Sequence, residues 1–129
     1  MPQVKIYGLK STLKPCQQQL SDAIHQALMT TFKTLPEKRF QRFIWFEPDD
    51  FVFPDDRSNY YTIIEVSLFT GRTLETRQAL IRALFETVCS ATPIATQDLE
   101  ITLFESPAGN WGLRGITGDR LNLSYPINI

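Results

Sequence analysis

Apolar positions along this chain follow two rhythms, and both recur in the same order in each half. The first half opens with a strand-like run over residues 3–9, centred on Val4, Ile6 and Leu9. Pro15 suits the first turn of a helix, where its missing N–H has no intrahelical partner to lose. Leu20, Ala23, Ile24, Ala27 and Leu28 then recur at helical spacing through about Phe32, which predicts one apolar helix face. Pro36 interrupts that pattern, and the aromatic-rich stretch from Arg39 to Glu47 reads as a second strand. The second half repeats the plan. Tyr60 to Thr70 is rich in β-branched residues and predicts a strand. Gly71 marks a turn, and Thr73 is placed to cap a helix with Glu75 near its positive end. Leu80, Ile81, Leu84, Phe85 and Val88 form the apolar stripe of that helix, and Asp98 to Glu105 alternates as a strand.

The pattern therefore predicts an α+β fold in a single domain over residues 1–129. Its repeat units run from about 2 to 47 and 60 to 105, with a tail over 106–129. Tandem βαβ units form a four-stranded sheet with both helices on one face. The other sheet face is expected to carry Phe40, Phe43, Trp45, Tyr61 and Phe69, a surface that calls for a partner and predicts self-association. The linker over 48–59 holds four aspartates and reads as a solvated loop rather than a cation site, because it lacks a calcium-loop spacing. The tail is turn-rich and ends in the alternating segment Leu121 to Ile129, which predicts a hairpin or an edge strand.

Composition narrows the function classes. Thirteen basic residues against fourteen acidic ones give a net charge of −1 and leave no basic excess for nucleic acid or an anionic membrane. No apolar stretch approaches the length of a membrane span, and no leader pattern stands at the N-terminus, so the expected location is cytoplasmic. Cys16 and Cys89 fall in different helices without metal-ligand spacing and are expected to be reduced. The lone histidine, His25, is expected at the surface beside its helix stripe. Phosphate loops, metal clusters and a lysine setting for pyridoxal phosphate are all missing from the pattern, so no cofactor is expected.

One group stands apart chemically. Pro2 follows the initiator methionine directly, and a small second residue favours removal of that methionine. The exposed secondary amine would titrate near pH 8, and an apolar, cationic pocket lowers that value further. A neutral imino nitrogen is a general base, or a nucleophile toward a carbonyl. With Met1 retained, the same nitrogen is an amide and has neither property.

Taken in order, these pieces resemble the tautomerase superfamily, in particular its fused members with two βαβ units. The nearest resemblance is to the branch of malonate semialdehyde decarboxylase and cis-3-chloroacrylic acid dehalogenase. Pro2-Gln3-Val4-Lys5-Ile6 is similar to the proline-led first strand, and Phe69-Thr70-Gly71-Arg72-Thr73 to the second strand–helix junction. Asn110-Trp111-Gly112-Leu113 is similar to the tail segment that walls the pocket. The resemblance implies a homotrimer acting on small carboxylates that bear a carbonyl, enol or alkene. It implies Pro2 as catalytic base, Arg72 as the carboxylate ligand, and Trp111 and Leu113 as an apolar wall; Arg114, just past Trp111, is this chain's own candidate to polarise the substrate carbonyl. The chain departs from that branch twice. Pro36-Glu37-Lys38-Arg39-Phe40 lacks the aspartate found after the first helix, and Arg72 is the only arginine at the junction itself. Arg114, Arg39 and Arg42 are the candidates to supply the second charge. Two further readings stay open: a non-catalytic trimer of the same fold binding a metabolite or partner protein, and an unrelated ferredoxin-like module with the same layers.

Overall fold

The computed structural model describes residues 2–122 and 126–129. Strand β1 (Gln3–Leu9) leads into a short helix α1 (Lys10–Leu13), a 3-10 turn at Lys14–Cys16 that carries Pro15, and the long helix α2 (Gln17–Phe32). Strand β2 (Gln41–Phe46) completes the first unit. The second unit is β3 (Thr62–Phe69), α3 (Leu74–Ala91) and β4 (Leu99–Ser106). The strands order β2-β1-β3-β4, with β1 parallel to β2, β3 parallel to β4, and the two units joined through antiparallel β1 and β3. This is the expected α+β sheet with both long helices on one face. Among the described residues no helix is long and apolar enough to cross a membrane.

Register explains the core. Val4 faces Val66 and Ile6 faces Ile64, so the even positions of β1 and β3 point together at the helices. Those residues are buried with Leu20, Ile24 and Leu28 of α2 and Leu80, Leu84 and Val88 of α3. Thr73 caps α3 as expected, its hydroxyl accepting from the Thr76 N–H at 3.1 Å.

Three details differ from the sequence reading. His25 is buried, 1% exposed, because its ring closes the gap between α2 and the following turn. Its Nε2–H donates to the Pro36 carbonyl at 3.0 Å. Phe43 and Trp45 lie on the helix-facing side: they pair with Ile6 and Gly8 and pack against the core. The linker keeps its four aspartates exposed, as expected, but its aromatic residues are held against the sheet rather than lying in solvent. Phe51 and Phe53 pack on Tyr61, Phe51 also stacks on Phe46, and the Ser58 N–H and hydroxyl both donate to Asp98.

The tail contains a hairpin of two very short strands, β5 (Gly112–Leu113) and β6 (Ile116–Thr117). Its turn places Arg114 at φ 50° and Gly115 at φ 87°, the pair of left-handed residues a tight two-residue hairpin needs. The expected alternation over Leu121 to Ile129 falls partly on residues 123–125, outside the described residues. The flanking residues 121–122 and 126–129 form no strand.

Candidate active site

The antiparallel pairing of Gln3 with Ser67 sets the geometry of the site. It puts the start of β1 beside the end of β3, so Pro2 and the β3–α3 junction share one end of the sheet. Pro2 is buried there, one residue ahead of the strand. The junction turns at Gly71, whose φ of 149° favours glycine, and a Cβ there would lie 2.8 Å from Asn128 Oδ1. Residues 127–129 therefore press against the turn. The Thr73 and Thr76 hydroxyls both donate to the Ile129 carbonyl, at 3.0 and 2.5 Å.

Arg72 occupies the position between that turn and the cap of α3. It is only 4% exposed, and Nε, Nη1 and Nη2 are all buried without a hydrogen-bond partner among the described residues. Burial pulls its pKa down to about 10, against the opposing pull of Glu105. Its guanidinium lies over the ring of Phe32, Cζ 4.1 Å from the centroid. A buried arginine with every donor unfilled is costly to the fold, and such a group is expected at a site built for an anion. Its place at the start of a long helix adds backbone N–H groups that favour the same charge.

The remaining candidates from the sequence are arranged around this end as follows. Trp111 sets its ring edge-on against Phe69, centroids 5.0 Å apart, and its indole N–H is buried without an acceptor among the described residues. Leu113 follows it, half-buried in β5. Arg114 stands exposed at the hairpin tip. Arg39 and Arg42 line a cavity of about 200 Å³ with Gln3, Val4, Phe40 and Gln41, directly beside the N-terminal end of β1. Arg39 is engaged by Asp22 and Ser21, which leaves Arg42, bonded to Gln3 at 3.3 Å, the less committed of the two. The Arg39 hydrogen bond holds the Asp22 carboxyl below its ordinary range.

Two partners of the site escaped the sequence reading. Phe32 looks in sequence like one more residue of the α2 stripe, and nothing in the helical period sets it apart as an arginine's platform. Arg77, in the first turn of α3, pairs with Glu105 at 3.5 Å and so places a second guanidinium near the junction. Nothing in the sequence sets Arg77 apart from Arg82, the other arginine of α3. Among the described residues no group of histidine, cysteine, aspartate or glutamate side chains is arranged to hold a metal ion.

Two βαβ units joined through antiparallel β1 and β3 are the fold of a tautomerase-type protein. Residues 38–114 match the family described as tautomerase enzyme, and the chain belongs to that family. The matched segment contains Arg72 and Trp111 to Arg114, including the first strand of the tail hairpin, and begins after β1. A probable tautomerase from Ralstonia nicotianae (strain ATCC BAA-1114 / GMI1000) is 32% identical over 54 residues, covering 42% of this chain and 77% of the relative. In fold, the chain is similar to malonate semialdehyde decarboxylase, a protein described with decarboxylase and hydratase activities. The TM-score is 0.76 at 18% identity, over 86% of this chain and 89% of that one. It is also similar to a fused 4-OT solved as an asymmetric trimer, with a TM-score of 0.80 at 19% identity over 91% and 96% of the two chains.

Proposed function

We propose that this protein is an isomerase of the tautomerase type, in which Pro2 moves a proton on a small 2-keto or enol carboxylate held by Arg72. The observation that carries the proposal is Arg72 itself, buried at the Pro2 end of the sheet with three nitrogens unfilled among the described residues. A carboxylate satisfies two of those donors in a planar, bidentate pair and fixes the substrate's orientation. The positive charges of Arg72 and the Arg39–Arg42 cavity disfavour a second cation nearby, which keeps the imino nitrogen neutral once Met1 is removed. Neutral Pro2 then takes the proton of the enol hydroxyl and returns it to the neighbouring carbon, a net isomerisation that needs no other reactant. Trp111 and Leu113 wall the site and exclude water, which strengthens each of these interactions. Arg42 is better placed than Arg114 to polarise the substrate carbonyl within one protomer. Arg114, exposed at the hairpin tip, is the candidate to reach into a neighbouring protomer's pocket. The trimeric state of the fused 4-OT neighbour supports a homotrimer here.

One observation favours a second reading. The stretch Pro36–Phe40 supplies no aspartate, so a trimer that binds a carboxylate metabolite without turning it over is the alternative. Intact mass of the native protein, followed by an ultraviolet assay with phenylenolpyruvate, separates the two. Loss of Met1, with turnover that falls about a hundredfold or more in Pro2→Ala, is the result expected of the enzyme. Turnover unchanged by that substitution would remove Pro2 from the mechanism. A retained methionine with carboxylate binding but no turnover would establish the binding protein.

A further inference from the structure

The Phe32 ring is the one aromatic surface in contact with the Arg72 guanidinium among the described residues, at 4.1 Å, and the guanidinium has no hydrogen bond to hold it otherwise. An arginine with three or four free torsions and no polar partner adopts several rotamers unless something removes that freedom. We propose that Phe32 is a positioning residue for the anion site: its ring fixes the plane of the Arg72 guanidinium and leaves only the in-plane donor edge open to a ligand. The proposal rests on reading Arg72 as the carboxylate-binding group.

The geometry has a chemical consequence. All guanidinium N–H donors lie in one plane, so a ring packed on Cζ leaves them free to match the two oxygens of a carboxylate lying in that plane. Phe32 is fully buried at the last residue of α2, so its own ring has little freedom, and that rigidity is passed to the guanidinium. The ring also compensates part of the desolvated charge through its negative face, which a saturated side chain of equal volume cannot do. The plane in which a carboxylate is held is thus set from α2, in the first βαβ unit, although the arginine belongs to the second.

Nitrogen-15 NMR of the Arg side chains tests this without relying on turnover. The Arg72 Nε–H signal, assigned by its disappearance in Arg72→Lys, is expected to be shifted by the ring current and protected from exchange with water. Phe32→Tyr keeps the ring and is expected to keep that signal. Phe32→Met has similar volume and no ring, and is expected to lose both the shift and the protection while the circular dichroism spectrum is retained. Titration with pyruvate as the carboxylate probe is expected to show about a tenfold weaker Kd in Phe32→Met. No further weakening is expected when Phe32→Met is added to Arg72→Ala. An unshifted, freely exchanging Arg72 signal in the wild-type protein would overturn the proposal even if no variant folds. So would a pyruvate Kd unchanged by Phe32→Met, or losses that simply add in the double variant. If pyruvate leaves the wild-type Arg72 signal untouched, the carboxylate reading of Arg72 fails instead. The ring-current result still decides separately whether Phe32 orients the side chain.

Discussion

Replacing Arg72 by methionine is expected to have two effects of opposite sign. Removing a buried charge with no hydrogen bond among the described residues relieves a desolvation cost, so stability should rise by about 1–2 kcal/mol. The same change removes a buried guanidinium at the Pro2 end whose donors are free among the described residues, so carboxylate affinity should fall by two orders of magnitude, roughly. Calorimetry and a pyruvate titration on the same protein check both. A variant that loses binding and also loses stability would mean that Arg72 is a structural cation, answered by groups within the fold. The pH dependence carries a related sign. Burial lowers the Arg72 pKa to about 10, so the charged form persists through neutral pH and declines as pH rises past that value. Carboxylate affinity should therefore be flat from pH 7 to 9 and decline above about 10. An affinity that falls between pH 7 and 9 would point to another titrating group. Arg72 stands out in the sequence because a glycine-arginine-threonine turn sits where the family resemblance places a carboxylate ligand. Phe32 was not, because a phenylalanine that orients a charge and one that fills a core obey the same helical period.

Helices and strands are more legible than their faces. The alternation of β1 and β3 is clean, and the expected strands match the observed ones to within two residues at each end. In β2 every position from Phe43 to Phe46 is apolar, so period two carries no information about which side meets the helices, and Phe43 and Trp45 were assigned to the wrong one. The linker shows the same limit from the other direction. Its aspartates suggest solvent, yet Arg57 bonds Glu100 at 2.8 Å and the Tyr61 hydroxyl donates to the same carboxylate. Those two bonds hold the Glu100 pKa below its usual value, the Tyr61 bond foremost, and burial, followed by Glu100, pushes Tyr61 up to about 12. The sign for Glu100 follows from its depressed pKa. Its contribution is fully present above the ordinary carboxylate range and is lost as pH falls through the lower folded value. Glu100→Gln should therefore lower the melting temperature at pH 7, with the difference from wild type shrinking in acid. A gap that widens in acid would assign the network a different role. At the opposite end of the sheet, Gly71→Ala is expected to displace residues 127–129 from the junction and cost about 1–3 kcal/mol, since it adds both a clash and an unfavourable φ.

Assembly decides what the open sheet face is for. Register places Lys5, Arg42, Ile44, Ile63, Thr102 and Phe104 on that side, and Phe104 is 50% exposed on the edge strand β4. The linker aromatics cover only the end of this face away from Pro2, where Tyr7 stacks on Phe46 and Phe51 on Tyr61. What remains is a half-apolar surface beside the candidate site, and a neighbouring protomer seated on it would bury that surface and close the pockets together. Phe104→Asp puts an uncompensated charge on the surface without touching the helix-side core, so the monomer should fold with an unchanged circular dichroism spectrum. Sedimentation of the wild-type protein should give a trimer, and this variant a monomer at micromolar concentration with turnover lost. The loss of turnover matters more than the change in mass. A monomeric variant with full activity would show that each pocket is complete within one chain, and Arg42, rather than Arg114 from a neighbour, would then be the group that answers the substrate carbonyl. If the wild-type protein is itself monomeric and active, the open face has some other occupant and the trimer proposal fails, while Arg72 and Pro2 keep their proposed roles.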